Sequence, residues 1–195
     1  ELRLWDAIDQ QHLSPFLYYG IHDGLDLRDV PWKRGRGYDI EALSNRYTSS
    51  DAWARLVIKQ LDRHTDAASM RCLGFCVSVE HAEFMARHFS HHGIPAVAIS
   101  GESPRDERAK ALRDLAAGDV KVVFSVDLFN EGVDLPNVDT VLMLRPTESP
   151  VLFLQQLGRG LRRAENKPHC TVLDFVGTHR KEFRFDRRYR ALLGG

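Results

Sequence analysis

The chain has 195 residues, 43% hydrophobic and 28% charged, enough for one domain with a full core. Lys plus Arg and Asp plus Glu each number 27, so the formal charge is zero; this excludes a uniformly basic nucleic-acid clamp but not a local basic patch. No signal-peptide pattern is read at the start of this sequence and no apolar run approaches membrane-spanning length; Cys72, Cys76 and Cys170 are an odd, scattered set with no convincing zinc spacing, so a reducing, cytoplasmic setting is expected. Glu1 stands in what reads as mid-helix sequence, so the chain reads as a piece of something longer. Glu1 to Gln11 reads as a short helix, and after Pro15 the aromatic run Phe16 to Ile21 has strand character. His22 to Gly37 reads as a loop ending in Arg34-Gly35-Arg36-Gly37, a run that either touches a phosphate backbone or is a flexible linker. Asp39 to Leu43 and Ser50 to His64 read as helices, the second with Ser49-Ser50-Asp51 at its cap. Residues 1–65 are therefore expected to be an inter-domain linker and peripheral appendage, and 66–195 the main domain.

From Arg71 the texture changes. Cys72 to Val77 is a continuous apolar run, as expected of a strand buried on both faces. Ser78 can cap a helix from Val79 to His91, ended by Gly93. Ala96 to Ile99 is the next strand, Pro104 to Ala117 a charged helix, and Val120 to Val126 and Thr140 to Leu144 two more strands. A helix from Pro150, a last strand Cys170 to Val176 and a basic helix Phe183 to Leu192 complete the chain. Such alternation predicts an α/β fold: a mostly parallel sheet with helices on both faces, plus the N-terminal helical and strand appendage. Ligands on such sheets sit beyond the carboxyl ends of the strands.

Two segments carry chemistry. Ser125-Val126-Asp127 through Glu131-Gly132-Val133-Asp134-Leu135-Pro136 leaves a buried strand and turns, offering backbone N–H groups and a carboxylate for a sugar hydroxyl. The helix from Ser149 to Arg163 places Phe153, Leu154, Leu157 and Leu161 on one face and Gln155, Gly158, Arg159 and Arg162 on another. Two guanidiniums a turn apart form a fork for clustered anionic oxygens, with a glycine leaving room between them. His81, His88, His91 and His92 fall on or beside one helix without an acidic or cysteine cluster, so no metal site is expected.

Taken together, Arg71 to His179 resembles the second RecA-like motor domain of superfamily II helicases and translocases. Phe75-Cys76-Val77-Ser78 looks like motif IV, and Ser100-Gly101 with Arg105 and Glu107-Arg108 like the backbone-contacting motif after it. Val126-Asp127 through Gly132-Val133-Asp134-Leu135-Pro136 looks like motif V, and Gln155-Gln156-Leu157-Gly158-Arg159-Gly160-Leu161-Arg162 fits Gln-x-x-Gly-Arg-x-x-Arg of motif VI. The details are closest to restriction-enzyme-type and DNA-repair-type members; Glu131 stands where DEAD-box RNA helicases carry arginine, and Gln155 where they carry histidine.

The resemblance implies that Arg159 and Arg162 reach the β- and γ-phosphates of ATP held by a partner domain, with Arg162 the finger. Gln155 would orient water or couple nucleotide to nucleic acid. Gly132, Asp134 and Glu131 would line the nucleotide edge, and Ser78, Gly101, Ser125 and Arg105 would contact one DNA strand. The arginines are expected beside the Asp134 loop, on the rim where the strands finish. No Gly-x-x-x-x-Gly-Lys-Ser/Thr and no Asp-Glu magnesium motif occurs, so ATP and Mg2+ would be held mainly by a first RecA-like domain, and this chain alone is expected to be inactive. The alternative is a non-catalytic nucleic-acid-binding or scaffolding domain that kept the fold; a flavodoxin-like nucleotide module is disfavoured by the lack of a glycine-rich loop after the first strand.

Overall fold

The computed structural model describes residues 4–126, 137–184 and 186–193. After helix α1 (Leu4–Asp9) come β1 (Phe16–Asp26), the short strands β2 (Trp32–Lys33) and β3 (Gly37–Tyr38), and helices α2 (Ile40–Thr48) and α3 (Asp51–His64). Then follow β4 (Cys72–Phe75), α4 (Val79–His91), β5 (Ala96–Ser100), α5 (Arg105–Ala117), β6 (Val122–Val126), β7 (Thr140–Met143), α6 (Pro150–Gly160), β8 (Cys170–Thr178) and α7 (Asp186–Leu193). Six strands form one sheet in the order β1-β8-β7-β4-β6-β5, and every pairing in it is parallel. β2 and β3 pair antiparallel as a separate hairpin.

The central strands β4, β6 and β7 are buried throughout, which is why they read as unbroken apolar runs. Their side chains alternate between two cores. Cys72, Val122, Phe124 and Leu142 join Tyr47, Trp53, Val57, Met85 and Phe89 on one face. Leu73, Phe75, Val123, Val141 and Met143 join Leu115, Phe153, Leu157 and Leu161 on the other. Ser50 and Ser78 cap α3 and α4 through their side chains, and Gly118 ends α5 at φ 89°.

The N-terminal third is part of this body. β1 lies along β8 from Phe16↔Cys170 to Asp26↔Thr178, as the expected peripheral strand, and Leu43, Tyr47 and Trp53 belong to the first core. The loop expected from His22 is shorter than the sequence implied, because β1 runs on to Asp26. Asp23 sits buried in that stretch, accepting the Trp53 indole N–H at 3.1 Å and the Leu25 amide at 2.9 Å. A carboxylate inside a strand breaks the apolar pattern from which strands are read. Burial pushes its pKa up, opposed by these hydrogen bonds.

At the other end, Arg188 of α7 reaches Asp174 of β8 at 2.6 Å, both side chains almost fully buried, and the Tyr18 hydroxyl also donates to Asp174. Among the described residues, no helix is long and apolar enough to cross a membrane.

Candidate functional site

Ser149 opens α6, accepting the Leu152 N–H at 3.2 Å, and Pro150 fills the first turn. Phe153 and Leu157 are fully buried against the sheet, whereas Gln155 is exposed. A Cβ on Gly158 would meet nothing within 4 Å; one on Gly160 would lie 2.6 Å from Cys170 Sγ and 2.7 Å from Val141 Cγ2. The helix thus leaves a gap at Gly158 and presses against strands at Gly160.

Here the structure corrects two expectations. The helix ends at Gly160, so Arg162 does not continue the face that carries Gln155 and Arg159. Arg162 instead bridges Leu13 in antiparallel fashion. The Ser14 amide donates to the Leu161 carbonyl at 2.7 Å, the Ser14 hydroxyl to the Arg162 carbonyl at 3.3 Å, and Lys167 Nζ to the carbonyls of Gly160, at 2.6 Å, and Arg162. The arginines are also not on the rim where strands finish. β7 and β8 are parallel, so the intervening helix must return the chain to the opposite rim. Leu13 and Ser14 lead into β1, and Cys170 begins β8, so Arg162 lies at the amino edge. Arg159 and Arg162 are half-buried, and each engages other groups of the chain. Glu131, Gly132 and Asp134 fall outside the described residues.

The expected strand contacts occupy the carboxyl edge. Ser78 Oγ accepts the His81 N–H at 3.0 Å and lies 2.6 Å from Ser44 Oγ. Gly101 is exposed with open space where a side chain would be, and its carbonyl accepts from Arg108 at 2.9 Å. Arg105 is exposed at the first residue of α5. Ser125 is different: it is 3% exposed, paired between Phe75 and Ile99 near the carboxyl end of β6. Its side chain is therefore unavailable for the phosphate contact expected of it.

Among the described residues, nothing here resembles nucleophilic or metal chemistry. All three cysteines are buried and free, and burial pushes the Cys170 thiol up to about 12. His81 is fully buried and stacked on Tyr47 at 4.8 Å, and desolvation pushes it down to about 3, so it stays neutral. Among the described residues, no group of three or more His, Cys, Asp or Glu side chains could hold a metal ion.

A feature the sequence left open is a cleft of about 690 Å³. It lies between the β2–β3 hairpin, the Arg145–Ser149 loop after β7, and residues 181–184 after β8. The Arg34-Gly35-Arg36-Gly37 run forms the turn of that hairpin. The signal was present in two glycines among basic residues, flanked by Trp32 and Tyr38.

The helicase conserved C-terminal domain family matches residues 54–164. A Saccharomyces cerevisiae protein named as a candidate ATP-dependent helicase, IRC3, is 27% identical over 172 residues, covering 88% of this chain and 25% of that protein. A Schizosaccharomyces pombe protein, named as a candidate mitochondrial ATP-dependent helicase, is 38% identical over 143 residues, covering 73% and 23%. The chain thus spans about a quarter of the length of these two relatives. In fold it is similar to a solved fragment of a candidate HsdR subunit of a type I restriction enzyme from Vibrio vulnificus YJ016. That alignment has a TM-score of 0.65 and 24% identity, covering 89% of this chain and 34% of that one.

Proposed function

The chain belongs to the family of helicase conserved C-terminal domains, and from that premise we propose that it is the second motor domain of an ATP-dependent DNA helicase or translocase. The observation that carries this reading is the retention of Gln155, Arg159 and Arg162 in motif order on α6 and its exit, with the Arg162 backbone pinned by Ser14 and Lys167. Phosphoryl transfer asks little covalent work of a protein but much charge stabilisation, and a well-placed arginine supplies about 10³–10⁵ in rate. In this reading Arg162 is the finger that meets the β- and γ-phosphates of ATP seated on a first RecA-like domain, and Arg159 assists it. Gln155 orients water or couples the two ligands. Gly132, Asp134 and Glu131 line the nucleotide, with Asp134 toward the ribose. The Mg2+ that accompanies ATP neutralises phosphate charge, and its ligands belong mainly to that first domain.

Ser78, Gly101 and Arg105 contact the DNA strand at the opposite edge. β6 ends at that edge and β7 begins at the other; in this reading Glu131, Gly132 and Asp134, which come between them in sequence, couple nucleotide to nucleic acid. DNA rather than RNA is favoured by Glu131 and Gln155, which depart from the DEAD-box pattern.

The test is Arg162→Ala in a protein that contains both motor domains. DNA-stimulated ATPase should fall by about 10³-fold or more, while DNA affinity stays within about threefold. Unchanged ATPase would leave only a non-catalytic nucleic-acid-binding or scaffolding domain.

A further inference from the structure

The Arg34-Gly35-Arg36-Gly37 turn has no part in the motor reading, yet the fold shapes it with care. The Arg36 amide donates to the Lys33 carbonyl at 3.0 Å, closing a turn whose third position is Gly35 at φ 79°. Gly37 follows at φ 80°, and neither glycine has an atom within 4 Å of where a Cβ would stand. The demand is therefore on backbone conformation, as in a type II turn, and not on space. Its result is that Arg34 and Arg36 stand exposed together on the wall of the cleft.

Lys181 and Arg187 line the cleft from the segment after β8 and from α7, both exposed. Among the described residues, none of Arg34, Arg36, Lys181 and Arg187 makes an ion pair or a side-chain hydrogen bond. Arg145 and Arg184 also line the cleft, but each is engaged, Arg184 with Asp186 at 2.8 Å, and Glu148 and Glu182 are the carboxylates among the lining residues. Glu148 is already engaged, accepting the Arg184 backbone N–H at 2.7 Å. In a chain of zero formal charge, this excess of like charge in one concavity works against folding unless an anion fills it. The Ser149–Pro150 end of α6 also opens into the cleft and adds the positive end of an 11-residue helix.

The aromatic walls point to phosphate rather than bases. Trp32 lies under the Arg180 guanidinium at 5.8 Å, and Phe183 packs in a triangle with His179 at 4.3 Å and Tyr38 at 5.1 Å, those two rings being 5.8 Å apart. Tyr38 and Phe183 are each only 6% exposed, so neither offers a face for base stacking. Position gives the rest. Leu43 lines the cleft, and the next residue, Ser44, has its hydroxyl 2.6 Å from that of Ser78. Along the carboxyl edge the chain presents Gly101 after β5, Ser78 after β4, the Arg145 loop after β7 and residues 179–184 after β8. From β5 to β8 that is roughly 19 Å, at about 4.8 Å per strand.

We propose that this cleft holds the sugar-phosphate backbone of the nucleic-acid strand that passes Gly101 and Ser78, extending its path across β7 and β8 to the hairpin. The inference rests on the motor reading of the carboxyl edge, and the experiment separates the two. Affinity of the chain for a labelled 20-nucleotide DNA strand is measured against salt for the parent, Arg34→Gln/Arg36→Gln, Arg34→Lys/Arg36→Lys and Arg105→Gln. The Gln pair should weaken binding about tenfold at low salt and reduce the slope of log affinity against log salt by about 0.7 per arginine; the Lys pair should keep the parent slope. An unchanged slope in the Gln pair, with Arg105→Gln lowering it, overturns the cleft and leaves the motor reading intact. No DNA binding by the parent overturns both. Displacement of the strand by free ATP as effectively as by unlabelled strand, at equal phosphate concentration, overturns the cleft in favour of a small polyphosphate site.

Discussion

Two glycines two positions apart in α6 illustrate how far single residues can be read. The spacing in Gln-x-x-Gly-Arg already implied that Gly158 leaves room beside the arginines, and the space beside it is open. Nothing in the pattern marked Gly160, whose role depends on Val141 and Cys170 pressing against it from two strands. The pair therefore makes a contrast. Gly158→Ala removes helix-interior flexibility without a clash and should stabilise the fold by about 0.5–1 kcal/mol. If the gap admits a nucleotide phosphate, the same variant should lower ATPase in the two-domain protein. A raised urea midpoint with full ATPase would show that nothing approaches there. Ser125 illustrates the opposite failure: its place in the motif was legible, but its burial between Phe75 and Ile99 was not, because a lone serine in an apolar run does not reveal which way the strand turns it.

At the scale of elements, helix starts were legible and helix ends less so. Ser149 and Pro150 announce α6, and Ser78 announces α4, because caps are local chemistry. The end of α6 is not local. Leu161 continues the apolar stripe and stays fully buried, yet the chain leaves the helix because Ser14, Leu13 and Lys167 take up its backbone groups. α7 hides a similar tie. Its sequence reads as a basic, solvated helix, but Arg188 is 3% exposed and lies 2.6 Å from Asp174. Burial pushes Asp174 up, while the Arg188 charge and the Tyr18 hydrogen bond oppose it, so the carboxylate depends on the arginine. Arg188→Ala should therefore cost about 3–5 kcal/mol, since it strands a buried acid. Urea unfolding reads the loss, and amide hydrogen exchange should show α7 losing protection ahead of β4 and β6. Exchange that stays uniform, with stability unchanged, would mean that apolar contacts such as Leu192 anchor α7 alone.

For the whole molecule, the sheet was legible because parallel strands with crossover helices write a simple alternation, and the cleft was not, because it joins residues from 32 to 187. The same topology explains the misplaced rim. The sequence pattern points to loops after strands, but a crossover helix delivers its last turn to the other edge, so in the proposed reading one domain addresses DNA on one side and nucleotide on the other. In that reading the domain supplies charge to a reaction that it does not seat. No phosphate-cradling Gly-x-x-x-x-Gly-Lys-Ser/Thr occurs in the 195 residues. An arginine finger multiplies the rate of a bound triphosphate, and without binding there is little to multiply. The isolated chain should therefore turn over no ATP above buffer and give no binding heat at micromolar nucleotide, with or without DNA. Adding the first motor domain as a separate polypeptide should restore DNA-stimulated turnover that is lost again in Arg162→Ala. Robust turnover by the isolated chain, abolished by Arg162→Ala so that contamination is excluded, would mean that it holds ATP unaided, and the division of labour proposed for the two domains would be wrong.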